Sequence, residues 1–149
     1  MDPRSLTNDF KEFLQCLNDQ NVEFLVIGGH AVAFYGYPRA TSDLDVWIAL
    51  DATNAASIVV ALKTFGFDIP ELRPEMFLQK DRVIRMGIAP NRIEIQTGID
   101  GVSFTECYAN KVAAKLDGIS VFFIALSDLK RNKRASGRNK DLADLDNLP

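Results

Sequence analysis

Two carboxylates open an apolar strand. Asp43-Leu44-Asp45 leads straight into Val46-Trp47-Ile48. In extended backbone, positions i and i+2 point to the same side, so Asp43 and Asp45 share one face and Leu44 takes the other. Adjacent carboxylates repel, and one is protonated unless cations share the charge. A strand running into a core does not normally carry such a pair without a partner or a metal. The start of this strand must therefore lie where a cation can reach it, and a hard Mg²⁺ held by carboxylates and substrate phosphates is one solution. The spacing alone is a weak signal. Asp144 and Asp146 repeat it and read as mostly solvated helix surface.

Other segments supply the frame. Phe10, Phe13, Leu14 and Leu17 fall on one face of a helix over 7–18. Phe24–Ile27 reads as a buried strand ended by Gly28-Gly29, with a helix from Gly29 to about Phe34, closed by Gly36 and Pro38. Strand 44–48 is followed by a helix that Thr53 or Asn54 can cap, with Gly66 after its end. A helical turn is expected near 75–79. Val83–Met86 and Arg92–Ile95 read as an antiparallel pair turned at Ala89-Pro90-Asn91. A short helix over 103–108 precedes a second pair, 112–116 and 121–124, turned at Asp117-Gly118. Two helices, 126–135 and 139–148, break at Gly137. This order predicts an α/β (α+β) fold: a mixed sheet with flanking helices and a C-terminal helical pair.

The chain has 149 residues and no linker-like stretch, so one domain over 1–149 is expected. Two cysteines, Cys16 and Cys107, and one histidine, His30, argue against a disulfide framework or a zinc site. The polar N-terminal stretch and the lack of a long apolar run point to a cytoplasmic protein with no membrane contact. A net charge of −3 leaves any polyanion contact to a local patch.

Three further features bear on chemistry. Gly28-Gly29 at a strand-to-helix turn lets a backbone approach an anion, although such a pair also simply makes a tight turn. Glu94 shares a strand face with Arg92, opposite Ile93 and Ile95. It converges with Asp43 and Asp45 if the strands are neighbours, and otherwise fits a half-exposed strand equally well. Six cations lie between Lys130 and Lys140, a concentration that suits phosphate binding or a solvated helix. His30, Trp47 and the phenylalanines read as packing residues.

Gly28-Gly29-His30-Ala31, then Gly36, Arg39 and Thr41, then Asp43-Leu44-Asp45, with a third acid on a later strand, resemble the nucleotidyltransferases of the polymerase-β superfamily. The nearest resemblance is to small bacterial members related to abortive-infection toxins of the AbiEii type, whose segments read like Pro38-Arg39-Ala40-Thr41-Ser42-Asp43-Leu44-Asp45. Lys130-Arg131-Asn132-Lys133 and Gly137-Arg138-Asn139-Lys140-Asp141-Leu142-Ala143-Asp144 also resemble those proteins' basic helix and the Lys/Arg-Asp-x-x-Asp helix after it. The resemblance spans about residues 22–148. One departure is Glu94, where the superfamily most often has Asp.

The resemblance implies transfer of a nucleotidyl group from an NTP to a hydroxyl, with Mg²⁺ or Mn²⁺ on Asp43 and Asp45 and with Glu94 as general base and third ligand. It implies Gly28, Gly29, Lys133 and Lys140 on the phosphates, and Arg39 and Thr41 in support. The acceptor would be an RNA end or a protein side chain, and the role that of a toxin with a cognate antitoxin. A homodimer is a further expectation. Two rival readings stand beside it: a catalytically silent binding or antitoxin-type module, and an adenylyltransferase acting on a small molecule such as an antibiotic.

Overall fold

The protein is described here by a computed structural model covering residues 6–38, 43–88 and 91–149. Thr7 accepts a hydrogen bond from the Phe10 amide and opens helix α1 (Asn8–Asp19). The helical spacing of Phe10, Phe13, Leu14 and Leu17 buries all four. Strand β1 (Phe24–Ile27) is buried throughout and turns at once into α2 (Gly28–Phe34). Strand β2 (Asp43–Ile48) returns antiparallel to β1, with Ile27 opposite Asp45.

Helix α3 (Ala52–Phe65) corrects one expectation. Its cap is Asp51, which accepts from the Asn54 amide, and not Thr53 or Asn54. The Asn54 side chain is buried and committed elsewhere: it binds the Glu23 amide and carbonyl and the Ala49 carbonyl. It thereby ties α3 to the end of the β1–β2 pair where β1 begins and β2 finishes. Gly66 ends the helix in the left-handed conformation, as its position after Phe65 suggests.

A 3-10 turn over Pro74–Phe77 leads to the antiparallel pair β3 (Val83–Met86) and β4 (Arg92–Gln96). Ala89 and Pro90 of the expected turn lie outside the described residues. After α4 (Phe104–Ala109) come β5 (Val112–Leu116) and β6 (Ile119–Phe123), then α5 (Leu126–Ser136) and α6 (Asn139–Asn147). Gly137 separates the last two with a φ of 65°.

Among the described residues, six strands form one mixed sheet in the order β3-β4-β2-β1-β6-β5. The pairings β2–β4 and β1–β6 are parallel; the other three are antiparallel. Trp47, Phe13, Phe77 and Phe123 are among the largest fully buried side chains, and His30 packs edge-on against Phe10. Phe34 and Phe122 depart from this pattern: both lie at the surface. Among the described residues, no helix is long and apolar enough to cross a membrane.

Candidate active site

The parallel register of β2 on β4 sets Asp43 beside Arg92 and Asp45 beside Glu94. Neighbouring residues in a ladder share a face, so all four side chains project from the same side. Leu44, Val46, Ile93 and Ile95 turn to the other side and are buried. Arg85 of β3 lies opposite Glu94 and joins the polar face. Glu94 is therefore on the face of the two aspartates.

A cavity of about 480 Å³ opens over this face. Gly28 and Gly29 at the end of β1 line it, as do Asp43, Asp45, Glu94, Arg85 and Gln96 from the sheet, Asp81, Gly98 and Asp100 from loops, and Lys133, Arg138, Lys140 and Asp141 from the C-terminal helices. Of the residues expected at a site, Gly28, Gly29, Asp43, Asp45, Glu94, Lys133 and Lys140 thus border one cleft. Arg39 and Thr41 lie outside the described residues.

Gly28 has a specific reason to be glycine. Its φ is +69°, and a Cβ there would run into the Asp45 carboxylate. The turn thus makes room for an acid, a role distinct from the phosphate cradle expected of it. Asp45 is correspondingly enclosed. Its Oδ1 is buried with no hydrogen-bond partner among the described residues. Burial, a hydrogen bond shared with Glu94, and the nearby charges of Glu94 and Asp43 push its carboxyl up to about 7, against an opposing pull from Lys140.

The other two acids are engaged by cations. Arg92 forks onto Asp43, Nε to Oδ1 at 3.0 Å and one terminal nitrogen to Oδ2 at 3.2 Å. This contact holds the guanidinium above its usual range. Arg85 donates to Glu94 at 3.0 Å. Among the described residues, no three His, Cys, Asp or Glu side chains stand in an arrangement that holds a metal ion as it is. The expected three-carboxylate convergence is thus met in face and neighbourhood but not as a ready coordination sphere: the arginines occupy two of the three acids. Hard oxygen donors and an orphaned buried carboxylate oxygen still suit Mg²⁺ or Mn²⁺, once Arg92 lets go of Asp43.

The cationic wall also differs from expectation. Lys133 is buried, with its ammonium 3.0 Å from Asp141 and 3.1 Å from Asp144. Asp144 is itself buried, so the reading of that residue as solvated surface is wrong; Asp146 is exposed. A helix-face pattern cannot reveal this, because the neighbouring helix covers the position. Lys140 is exposed at the cleft. Sequence reasoning did not single out Arg85, Asp81, Asp100 or Asp141 as lining residues. Arg85 was hidden by the register: the expected turn at Ala89-Pro90-Asn91 would set Met86 opposite Glu94, whereas the observed pairing sets Arg85 there.

No protein-family model matches the chain, and no curated protein matches it. Solved structures do. A proposed nucleotidyltransferase from Thermotoga maritima is 16% identical and aligns over 93% of this chain and 88% of its own, with a TM-score of 0.59. An antigenic nucleotidyltransferase-like protein from Paracoccidioides brasiliensis is 18% identical over 92% of this chain and 72% of its own, a looser likeness with a TM-score of 0.49. Likeness at such identity speaks for architecture rather than activity. On that ground, with its six-stranded mixed sheet and flanking helices, the chain has a nucleotidyltransferase-like fold.

Proposed function

We propose that the protein is a metal-dependent nucleotidyltransferase that moves a nucleotidyl group from an NTP to a hydroxyl. The observation that supports it most is the β2–β4 register, which sets Asp43, Asp45 and Glu94 on one face under a cleft that Gly28, Gly29 and Lys140 also line. A volume of about 480 Å³ is in the range of small-ligand sites, about 300–1,000 Å³.

Asp43 and Asp45 would hold Mg²⁺ or Mn²⁺, and Glu94 would serve as third ligand or as base for the acceptor hydroxyl. A bound metal would polarise the phosphoryl oxygens and offset charge on the departing pyrophosphate. The chain's own share is positioning and charge. Gly28 and Gly29 border the phosphates, Lys140 faces the acids across the cleft, and the Arg92 fork must release Asp43. Arg39 and Thr41 keep their supporting role in this reading. An RNA end or a protein side chain is the acceptor. The AbiEii-type toxin role, a cognate antitoxin partner, a homodimer and a cytoplasmic setting complete the proposal.

A second reading is favoured by the two arginines. With Arg92 on Asp43 and Arg85 on Glu94, the site is neutralised from within, as a catalytically silent binding module would be. Incubation with each labelled NTP, Mg²⁺ or Mn²⁺, and total RNA or protein separates the two. Transfer that needs metal and vanishes in Asp45→Asn supports the enzyme. No transfer to any acceptor, and no effect of metal on thermal stability, would leave the silent module.

A further inference from the structure

We propose that Lys133 is a positioning residue: it clamps α6 onto α5 so that Lys140 faces the carboxylates, and it does not itself hold the triphosphate. The inference rests on the nucleotidyl-transfer reading for the role it gives Lys140. Its basis is how α6 is attached. The residue that this helix buries is Asp144, a carboxylate, while Leu142 is 40% exposed. An amphipathic helix of this kind ordinarily docks through an apolar stripe. Here the buried apolar residue, Leu148, stands only at the C-cap, and a charge cluster docks the first turns. The Lys133 ammonium lies between Asp141 and Asp144, one helical turn apart.

Asp141 gathers further partners. The Ser136 hydroxyl donates to it, and Arg138 binds it at 3.0 Å. Burial raises the Asp141 carboxyl, but these donors together outweigh it and hold the group below its usual range. The five residues belong to the end of α5, the turn after Gly137 and the first turns of α6, so the cluster fixes the angle between the helices. Lys140 is the residue before Asp141. Whatever holds Asp141 therefore sets where Lys140 sits. An ammonium between two carboxylates has most of its charge met within the protein, which leaves it little capacity for a third anion. Lys140, exposed at the cleft, has that capacity.

Asp144→Asn discriminates between the two roles because they give opposite signs. If Lys133 binds phosphate directly, removing a competing acid frees its charge, and NTP binding tightens. If Lys133 is a clamp, removing a jaw loosens α6 and NTP binding weakens. We expect Asp144→Asn, in the full chain, to weaken binding of ATP, GTP, CTP or UTP with Mg²⁺ at least fivefold. Amide exchange over 139–147 should quicken at least tenfold. Lys133→Asp combined with Asp144→Lys should recover exchange protection and binding together. Tighter NTP binding by Asp144→Asn, or unchanged exchange in α6, overturns the clamp. If the wild-type protein binds none of the four nucleotides, the nucleotidyl-transfer reading fails instead. Exchange in α6 then decides the clamp by itself, since it needs no nucleotide.

Discussion

At the scale of single residues, Gly28 and Asp45 form a matched pair. A residue other than glycine at a φ of +69° costs about 1–2 kcal/mol in backbone terms. Gly28→Ala should lose more than that, because its Cβ also meets the Asp45 carboxylate. In an Asp45→Ala background the loss should shrink but stay above the backbone part, because the Cβ of residue 45 remains 2.9 Å from the added one. A double-mutant cycle by urea denaturation measures the difference; equal losses in both backgrounds would show that the carboxylate is not the obstacle. Asp45 itself makes stability depend on pH. Its carboxyl stands near 7 in the folded protein, above its unfolded value. The native state therefore holds a proton that the unfolded state releases, and stability falls as pH rises from about 4 to about 7. Asp45→Asn should flatten that slope and leave the metal-free protein as stable or more stable at pH 8. Added Mg²⁺ should stabilise the wild type more at pH 8 than at pH 5, as read by the melting temperature. The parity of Asp43, Asp45 and Glu94 was legible in the sequence because strand side chains alternate with a period of two. The Arg92 fork on Asp43 was not, since it depends on a register between strands far apart in the chain.

At the scale of elements, short apolar runs and helical spacing located the strands and helices to within a few residues, β1 at the expected bounds. The error at the start of α3 is instructive. Asp51, Thr53 and Asn54 all have capping chemistry, and local sequence does not rank them. Tertiary structure does: Asn54 is taken by the Glu23 and Ala49 backbone, so Asp51 is left to cap. Asp51→Ala should cost about 1 kcal/mol, the usual loss of a helix cap. Asn54→Ala should cost about 1–3 kcal/mol, because the Ala49 carbonyl and the part-buried Glu23 amide lose their side-chain partner. Chemical denaturation of the two variants tests the order. An Asp51→Ala loss larger than that of Asn54→Ala would contradict it. The α5–α6 pair was visible as two helices broken at Gly137, whereas the burial of Lys133 and Asp144 between them was not.

At the scale of the molecule, the fold class followed from the order of elements, and the strand order did not, because neither parallel pairing joins consecutive strands. Charge at this scale also needs the structure. Six cations between Lys130 and Lys140 suggest a polyanion surface, yet most have partners within the chain. Arg131 binds Asp128, Lys130 binds the Pro149 carbonyl, Lys133 binds Asp141 and Asp144, and Arg138 binds Asp141. If RNA is the acceptor, its affinity should therefore fall with salt more gently than six free cations would give. Arg134→Ala and Lys140→Ala should each take about one unit from the slope, and Arg131→Ala close to none. Filter binding across a salt series reads this directly. A slope near six units would show that the internal pairs open on RNA.

The pairing of β3 with β4 has a consequence for the order in which the chain assembles. The hairpin carries Arg85, Arg92 and Glu94 together, and it must dock beside the two aspartates of β2. Had it carried Glu94 alone, like charges would meet at the moment of docking. Instead, two guanidiniums accompany the carboxylate, and the approach of the hairpin is attractive from the start. The arginines are thus the counter-ions that the hairpin itself brings to these acids, alongside Lys140 from the far end of the chain. Replacing both with glutamine should slow refolding after dilution from urea, and Asp45→Asn in that background should restore much of the speed.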